Sequence, residues 1–178
     1  MIDKWLMPSK RRLIDYVNEQ SPNEVLDFGM GRGAWWKHID ENKVSLTGVD
    51  TSEVMVKHAK SQYPDKRILL SKSNRLPLAD ATFDMVVLAH VLSVVKNPTG
   101  ILNEAHRVLK PNGTLVIINH DSTNFKFIDG LMGLFSGFVR VKLPFFIQDY
   151  IHHSKWRCIE MKAFGRFSYF NWVTLLKV

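Results

Sequence analysis

The chain has 178 residues, 46% of them hydrophobic, which is enough to bury one sheet under helices on both faces and leaves no room for a second domain. A single cysteine, Cys158, excludes an internal disulfide and any cysteine-rich metal site, as suits a reducing compartment. The net charge of +7 and pI near 9.6 call for an acidic partner: nucleic acid, an anionic membrane surface or an anionic small molecule.

In chain order, Leu13, Ile14 and Val17 fall at helical spacing and predict a helix over 8–20 with Ser9 as its cap. Val25, Leu26 and Phe28 form an apolar run after Ser21-Pro22-Asn23, the pattern of a strand buried on both faces. Gly29, Gly31 and Gly33 follow at alternate positions, where the chain must turn tightly and a ligand can approach the backbone. Trp35, Trp36 and Ile39 predict a helix over 32–39 with its N-terminus toward that ligand. A second strand over 44–49 ends in Asp50, a carboxylate placed to accept both hydroxyls of a ribose.

Ser52 caps a predicted helix over 53–62 with Val54, Met55 and Ala59 on its inner face. A third strand is predicted over 67–70 and a fourth over 85–89, with His90 at the carboxyl end, where open α/β sheets place their ligands. A helix over 98–109 is stopped by Pro111 and Gly113, and a fifth strand starts there. Residues 156–165 and 168–178 read as two strands joined by Gly165-Arg166-Phe167.

Between the fifth strand and that hairpin, a lid-like insertion at about 121–153 carries Phe125, Phe127, Leu134, Phe138, Phe145 and Phe146 with Gly130, Gly133 and Gly137. Arg140, Lys142 and Pro144 interrupt it well short of the roughly 18 apolar residues of a membrane span. Two readings stay open: an interfacial helix or lid over an apolar acceptor at 125–147, with Arg140 and Lys142 meeting lipid phosphates or an acidic head group, or else core packing against the sheet or a homodimer contact.

The run Asp27-Phe28-Gly29-Met30-Gly31-Arg32-Gly33, with Asp50 in register behind it, resembles motif I of the class I S-adenosylmethionine-dependent methyltransferases. Two further stretches are similar to recurrent segments of that family: Leu76-Pro77-Leu78-Ala79-Asp80-Ala81-Thr82-Phe83-Asp84 and Arg107-Val108-Leu109-Lys110-Pro111-Asn112-Gly113. The likeness covers about residues 24 to 119. Asp3-Lys4-Trp5-Leu6, the Arg75-Leu76-Pro77-Leu78 loop and the apolar insertion look closest to the quinone-biosynthesis and phospholipid branch.

The resemblance implies one α/β domain over 1–178, a Rossmann-like doubly wound sheet of seven strands in the order 3-2-1-4-5-7-6 with strand 7 antiparallel. It implies S-adenosylmethionine as cofactor, Asp27 facing its amino group, the loop of Gly29, Gly31 and Gly33 around it, and Asp50 with Thr51 at the ribose. Adenine falls to Ser73 and Asn74, because Lys72 stands where the family usually has an acid, and His90 lines the cofactor. Methyl transfer is an in-line displacement that rests on positioning and exclusion of water, with a general base optional. His90 and His120, the latter beside Asp121, are the candidate bases; no metal is expected, since His152 and His153 lack a third convergent ligand.

The expected acceptor is a small molecule, apolar or anionic and lipid-like, handled in the cytoplasm or at the inner face of the membrane. An RNA or DNA methyltransferase is the enzyme alternative, favoured by charge and opposed by Ala89-His90-Val91-Leu92 where an Asn-Pro-Pro-Tyr-like tetrad would stand. A non-catalytic cofactor-binding or scaffold protein on the same fold is the third.

Overall fold

Successive residues of the central strands point to opposite faces of one sheet, and both faces are covered. The computed structural model describes residues 7–73, 75–120, 147–151, 155–164 and 170–178. In chain order they form α1 (Met7–Gln20), β1 (Glu24–Phe28), β2 (Ser45–Asp50), α2 (Glu53–Gln62), β3 (Arg67–Leu70), β4 (Phe83–Ala89), α3 (Pro98–Val108), β5 (Leu109–His120), β6 (Trp156–Phe164) and β7 (Phe170–Lys177). The strands lie in the order β3-β2-β1-β4-β5-β7-β6. The first five are parallel, and β7 runs antiparallel to both of its neighbours. This is the expected sheet.

One face buries Val25, Met85, Val87, Val116 and Ile118 under Leu13 and Val17 of α1 and Val56 and Ala59 of α2. The other buries Leu26, Val86, Leu88, Leu115 and Ile117 under Ile101, Leu102, Ala105 and Val108 of α3. The last two strands join the core: Arg12 lies 4.7 Å above the Trp172 ring and pairs with Glu160 at 3.2 Å.

Three local expectations are corrected. No α-helix follows the glycines; residues 32–39 contain one 3-10 turn, Trp36–His38. Trp35 precedes that turn and Trp36 opens it, and both indoles reach one oxygen of Asp27. Ser9 is not a cap but sits inside α1, buried against the sheet. Ser52 does cap α2, accepting from the Met55 N–H, but Val54 is 71% exposed and Val56 is buried in its stead.

The amino ends of β4 and β5 are fastened by acid–base pairs from the two recurrent segments and from Glu104 of α3. Asp84 accepts from Lys110 Nζ at 2.7 Å and from the Glu24 N–H at 2.9 Å. Glu104 of α3 accepts from Arg107 and from the Leu76 N–H, both at 2.6 Å, while Arg107 also pairs with Asp80 and donates to the Leu78 carbonyl. The Leu76–Asp80 loop, which has no regular structure of its own, is held on α3 in this way.

Candidate functional site

The site lies at the opposite, carboxyl ends of β1, β2 and β4, where the strand order reverses about β1. β1 ends in a turn whose three glycines have φ of +87, +58 and +65°. Gly29 cannot be replaced cheaply: beyond its left-handed backbone, a Cβ there would come within 2.5 Å of Val91 Cγ2. A Cβ at Gly31 would meet nothing within 4 Å, so this part of the loop borders open space.

Asp50 closes β2 as expected. Its Oδ2 accepts from the Gly31 N–H and its Oδ1 from the Ser52 N–H, each at 2.8 Å. One side chain thus ties the glycine turn to the start of α2, and each oxygen keeps a second lone pair for a ligand hydroxyl. A cavity of about 190 Å³ beside it is lined by Phe28, Val49, Asp50, Thr51, Val91 and Ile101, among others. The shape is that of a narrow apolar slot with a carboxylate at one rim.

A second cavity of about 330 Å³ shares Gly29 and His90 with the first. Asp27, Arg32, Trp35 and Met55 line it from the loop and α2 side, Ser9, Lys10 and Leu13 from α1, and Ile118 from β5. Asp27 is 1% exposed. Its Oδ2 accepts from Trp35 Nε1 at 2.8 Å and Trp36 Nε1 at 2.7 Å. Burial pushes its carboxyl up to about 7; the two indole hydrogen bonds oppose the rise and the nearby Asp50 charge adds to it.

His90 stands at the junction of the two cavities in a left-handed conformation, φ +61°, with its N–H bonded to the Ile118 carbonyl at 2.7 Å. Its Nε2 lies 3.2 Å from Ser9 Oγ. The buried hydroxyl of α1 is therefore the neighbour of the candidate base, a contact that Ser9's position near a helix start concealed.

The structure brings together Asp27, Gly29, Gly31, Asp50, Thr51 and His90, with Gly33 behind them, where its carbonyl accepts from Tyr63 Oη at 3.0 Å. Ser73 is not with them: it lies in the exposed loop after β3, where its Oγ accepts from the Arg75 N–H, and it lines neither cavity. Lys72 pairs with Glu53 at 3.0 Å on the surface. Asn74, Asp121, His152, His153, residues 1–6, the Gly165-Arg166-Phe167 turn and most of the 121–153 insertion, with all of 125–146, lie outside the described residues. His120 ends β5 opposite Phe170, and only its backbone is described.

Sequence reasoning missed Ser9, Lys10, Val91 and the indole pair. The signal for the last was present: two adjacent tryptophans eight and nine residues after a buried acid need acceptors for their N–H groups. Among the described residues no helix is long and apolar enough to cross a membrane, and no group of three or more acidic, histidine or cysteine side chains is arranged to hold a metal ion.

The profile of the family described as "Methyltransferase domain" matches residues 26–117. Demethylmenaquinone methyltransferase of Thermotoga maritima is 27% identical over 147 residues, 82% of this chain and 62% of that protein. Phosphatidylethanolamine N-methyltransferase of Cereibacter sphaeroides is 32% identical over 117 residues, 62% of this chain and 57% of that protein. The chain thus spans about three fifths of the length of these relatives. A solved S-adenosylmethionine-dependent methyltransferase of Aquifex aeolicus superposes with a TM-score of 0.65 at 23% identity, covering 93% of this chain and 89% of that one.

Proposed function

This chain belongs to the methyltransferase domain family, and from that premise we propose that it transfers a methyl group from S-adenosylmethionine to a small apolar or anionic acceptor. The observation that carries the reading is Asp50, at the tip of β2, with its two oxygens bracing the glycine turn and α2 beside an apolar slot that adjoins a second, larger cavity. Slot and carboxylate suit a nucleoside: an apolar wall for a base and an acceptor for its ribose hydroxyls. The adjoining cavity, with the carboxyl of Asp27 and the cations Lys10 and Arg32 on its wall, suits the amino-acid end of the same molecule.

When bound, S-adenosylmethionine supplies an electrophilic methyl on a sulfonium. The residues of the chain position and shield: Val91, Ile101 and Phe28 exclude water from the slot, and α1 covers the larger cavity through Ser9, Lys10 and Leu13. His90, where the cavities meet, is our candidate to take a proton from an acceptor hydroxyl or carbon acid at Nε2, which has Ser9 Oγ beside it. The names of the relatives favour quinone or phospholipid acceptors. That assignment, contact of 125–147 with a membrane and pairing of two copies belong to the proposal, as does a single domain over 1–178.

The test is incubation of the protein with methyl-labelled S-adenosylmethionine and, separately, a lipid-soluble extract, a polar small-molecule extract and purified nucleic acid. Label is expected in the lipid-soluble extract. Label only in nucleic acid would replace the acceptor class, and binding of the cofactor with no transfer to any fraction would favour a scaffold.

A further inference from the structure

We propose that Trp35 and Trp36 are positioning residues whose converging indole N–H groups hold the Asp27 carboxylate oriented and charged for the cationic amino-acid end of the methyl donor. The inference rests on the donor reading of the site given above. Both indoles donate to the same oxygen, Oδ2, at 2.8 and 2.7 Å, which fixes the rotation of the carboxylate and leaves Oδ1 unused by either ring. Both rings are themselves fixed. Trp35 is 4% and Trp36 0% exposed, and Trp36 lies against Tyr63 with ring centroids 5.3 Å apart. A Cβ on Gly48 of β2 would come within 2.5 Å of Trp36 Cη2, so the strand leaves room for this ring.

The device is needed because the carboxyl is buried beside a like charge. Asp50 from β2 is the charge that acts on it, and Lys10 from α1, Arg32 from the glycine loop and His90 from the end of β4 line the same cavity. At about 7, Asp27 is divided between its two forms near neutrality, and only the charged form attracts an ammonium group. The indole donors favour that form. Removing one raises the pH at which the charge appears, and donor affinity should follow it.

The experiment is calorimetric titration of wild-type and Trp35→Phe protein with S-adenosylmethionine across a pH series, alongside Trp36→Phe and Asp27→Asn. The Trp35→Phe variant should bind about tenfold more weakly near pH 6, the difference closing toward unity by about pH 8.5, because loss of one hydrogen bond to a charged acceptor shifts its ionisation by about one pH unit. The donor's own amine titrates equally in both proteins and cancels in the ratio. A ratio constant with pH, or equal to one throughout, would mean a packing role only and overturn the proposal.

A second readout needs no ligand. The two indole Nε1–H resonances of free wild-type protein should titrate together with a midpoint of about 7 and stop doing so in Asp27→Asn. Indole resonances that ignore pH sink the clamp even if the donor binds well. Failure of the wild-type protein to bind donor at any pH, with the indoles still titrating, sinks the donor reading instead, so the two failures are told apart.

Discussion

The two ends of the same parallel strands use acidic residues in opposite ways. At the amino ends, Asp84 and Glu104 face Lys110 and Arg107. Burial alone would raise both carboxyls, but hydrogen bonds and charge from those cations outweigh it and hold both below their ordinary range. At the carboxyl ends, the two indole hydrogen bonds do not offset burial and the neighbouring Asp50 charge, and Asp27 rises to about 7. One set of acids is neutralised by cations within the fold, and the buried acid at the other end is not. The direction of the shift separates fastening from function.

The comparison is tested first at the fastened end. Arg107→Met should lower stability by about 3–5 kcal/mol, because Glu104 would remain buried without its cation. Urea unfolding measures this, and cofactor affinity of the folded fraction should stay within about twofold of wild type if the two ends are independent. Next is Asp50→Ala at the other end. It should weaken S-adenosylmethionine binding about a hundredfold, two hydrogen bonds to a charged acceptor being worth about 3 kcal/mol together, with the chain still folded. An affinity unchanged in calorimetry would dissociate Asp50 from the ribose.

The ends should also differ in how stability answers pH. The folded carboxyl of Asp84 lies below its unfolded value of 3.8, so its contribution is present above that value and is lost as pH falls through the folded one. Asp84→Asn should therefore cost about 1–2 kcal/mol at neutral pH and little in strong acid. For Asp27 the sign reverses. Between 3.8 and about 7 the folded state holds a proton that the unfolded state has released, so its contribution is greatest below 3.8 and falls as pH rises through that window. Asp27→Asn should flatten that limb. Parallel slopes in the two variants, measured by thermal unfolding from about pH 3 to 8, would erase the distinction.

Much of this was legible in the residues. The apolar runs of β1, β4 and β5 and the caps and breakers around α2 and α3 found their elements to within a residue or two, apart from earlier starts of β4 and β5, because strands buried on both faces read as short continuous apolar runs bounded by turn residues. Asp50 was legible for a related reason: a strand read correctly fixes where its last residue stands. What periodicity did not show was the demand of individual polar atoms. Trp35 and Trp36 look like one side of a short helix by spacing, but Trp35 only precedes a single 3-10 turn that Trp36 opens, and both indole N–H groups are satisfied on Asp27. Ser9 looks like a cap by type and position, and only the packing of α1 on the sheet shows its hydroxyl turned inward to His90. Arg107 was read as part of a recurring phrase, without its five hydrogen bonds to the loop and to Glu104.

His90 carries a side chain in a backbone region that glycine and asparagine tolerate better, at the point where the two cavities meet. Its smallest and sharpest test is His90→Asn, which should raise the melting temperature slightly, by the equivalent of about 1 kcal/mol of relieved strain, while lowering turnover. On the proposed role of His90, such a position would set selection for heat resistance against selection for activity. A library of this chain screened only for survival on heating should enrich glycine or asparagine at residue 90, and the proposed role of His90 predicts that the survivors transfer methyl more slowly.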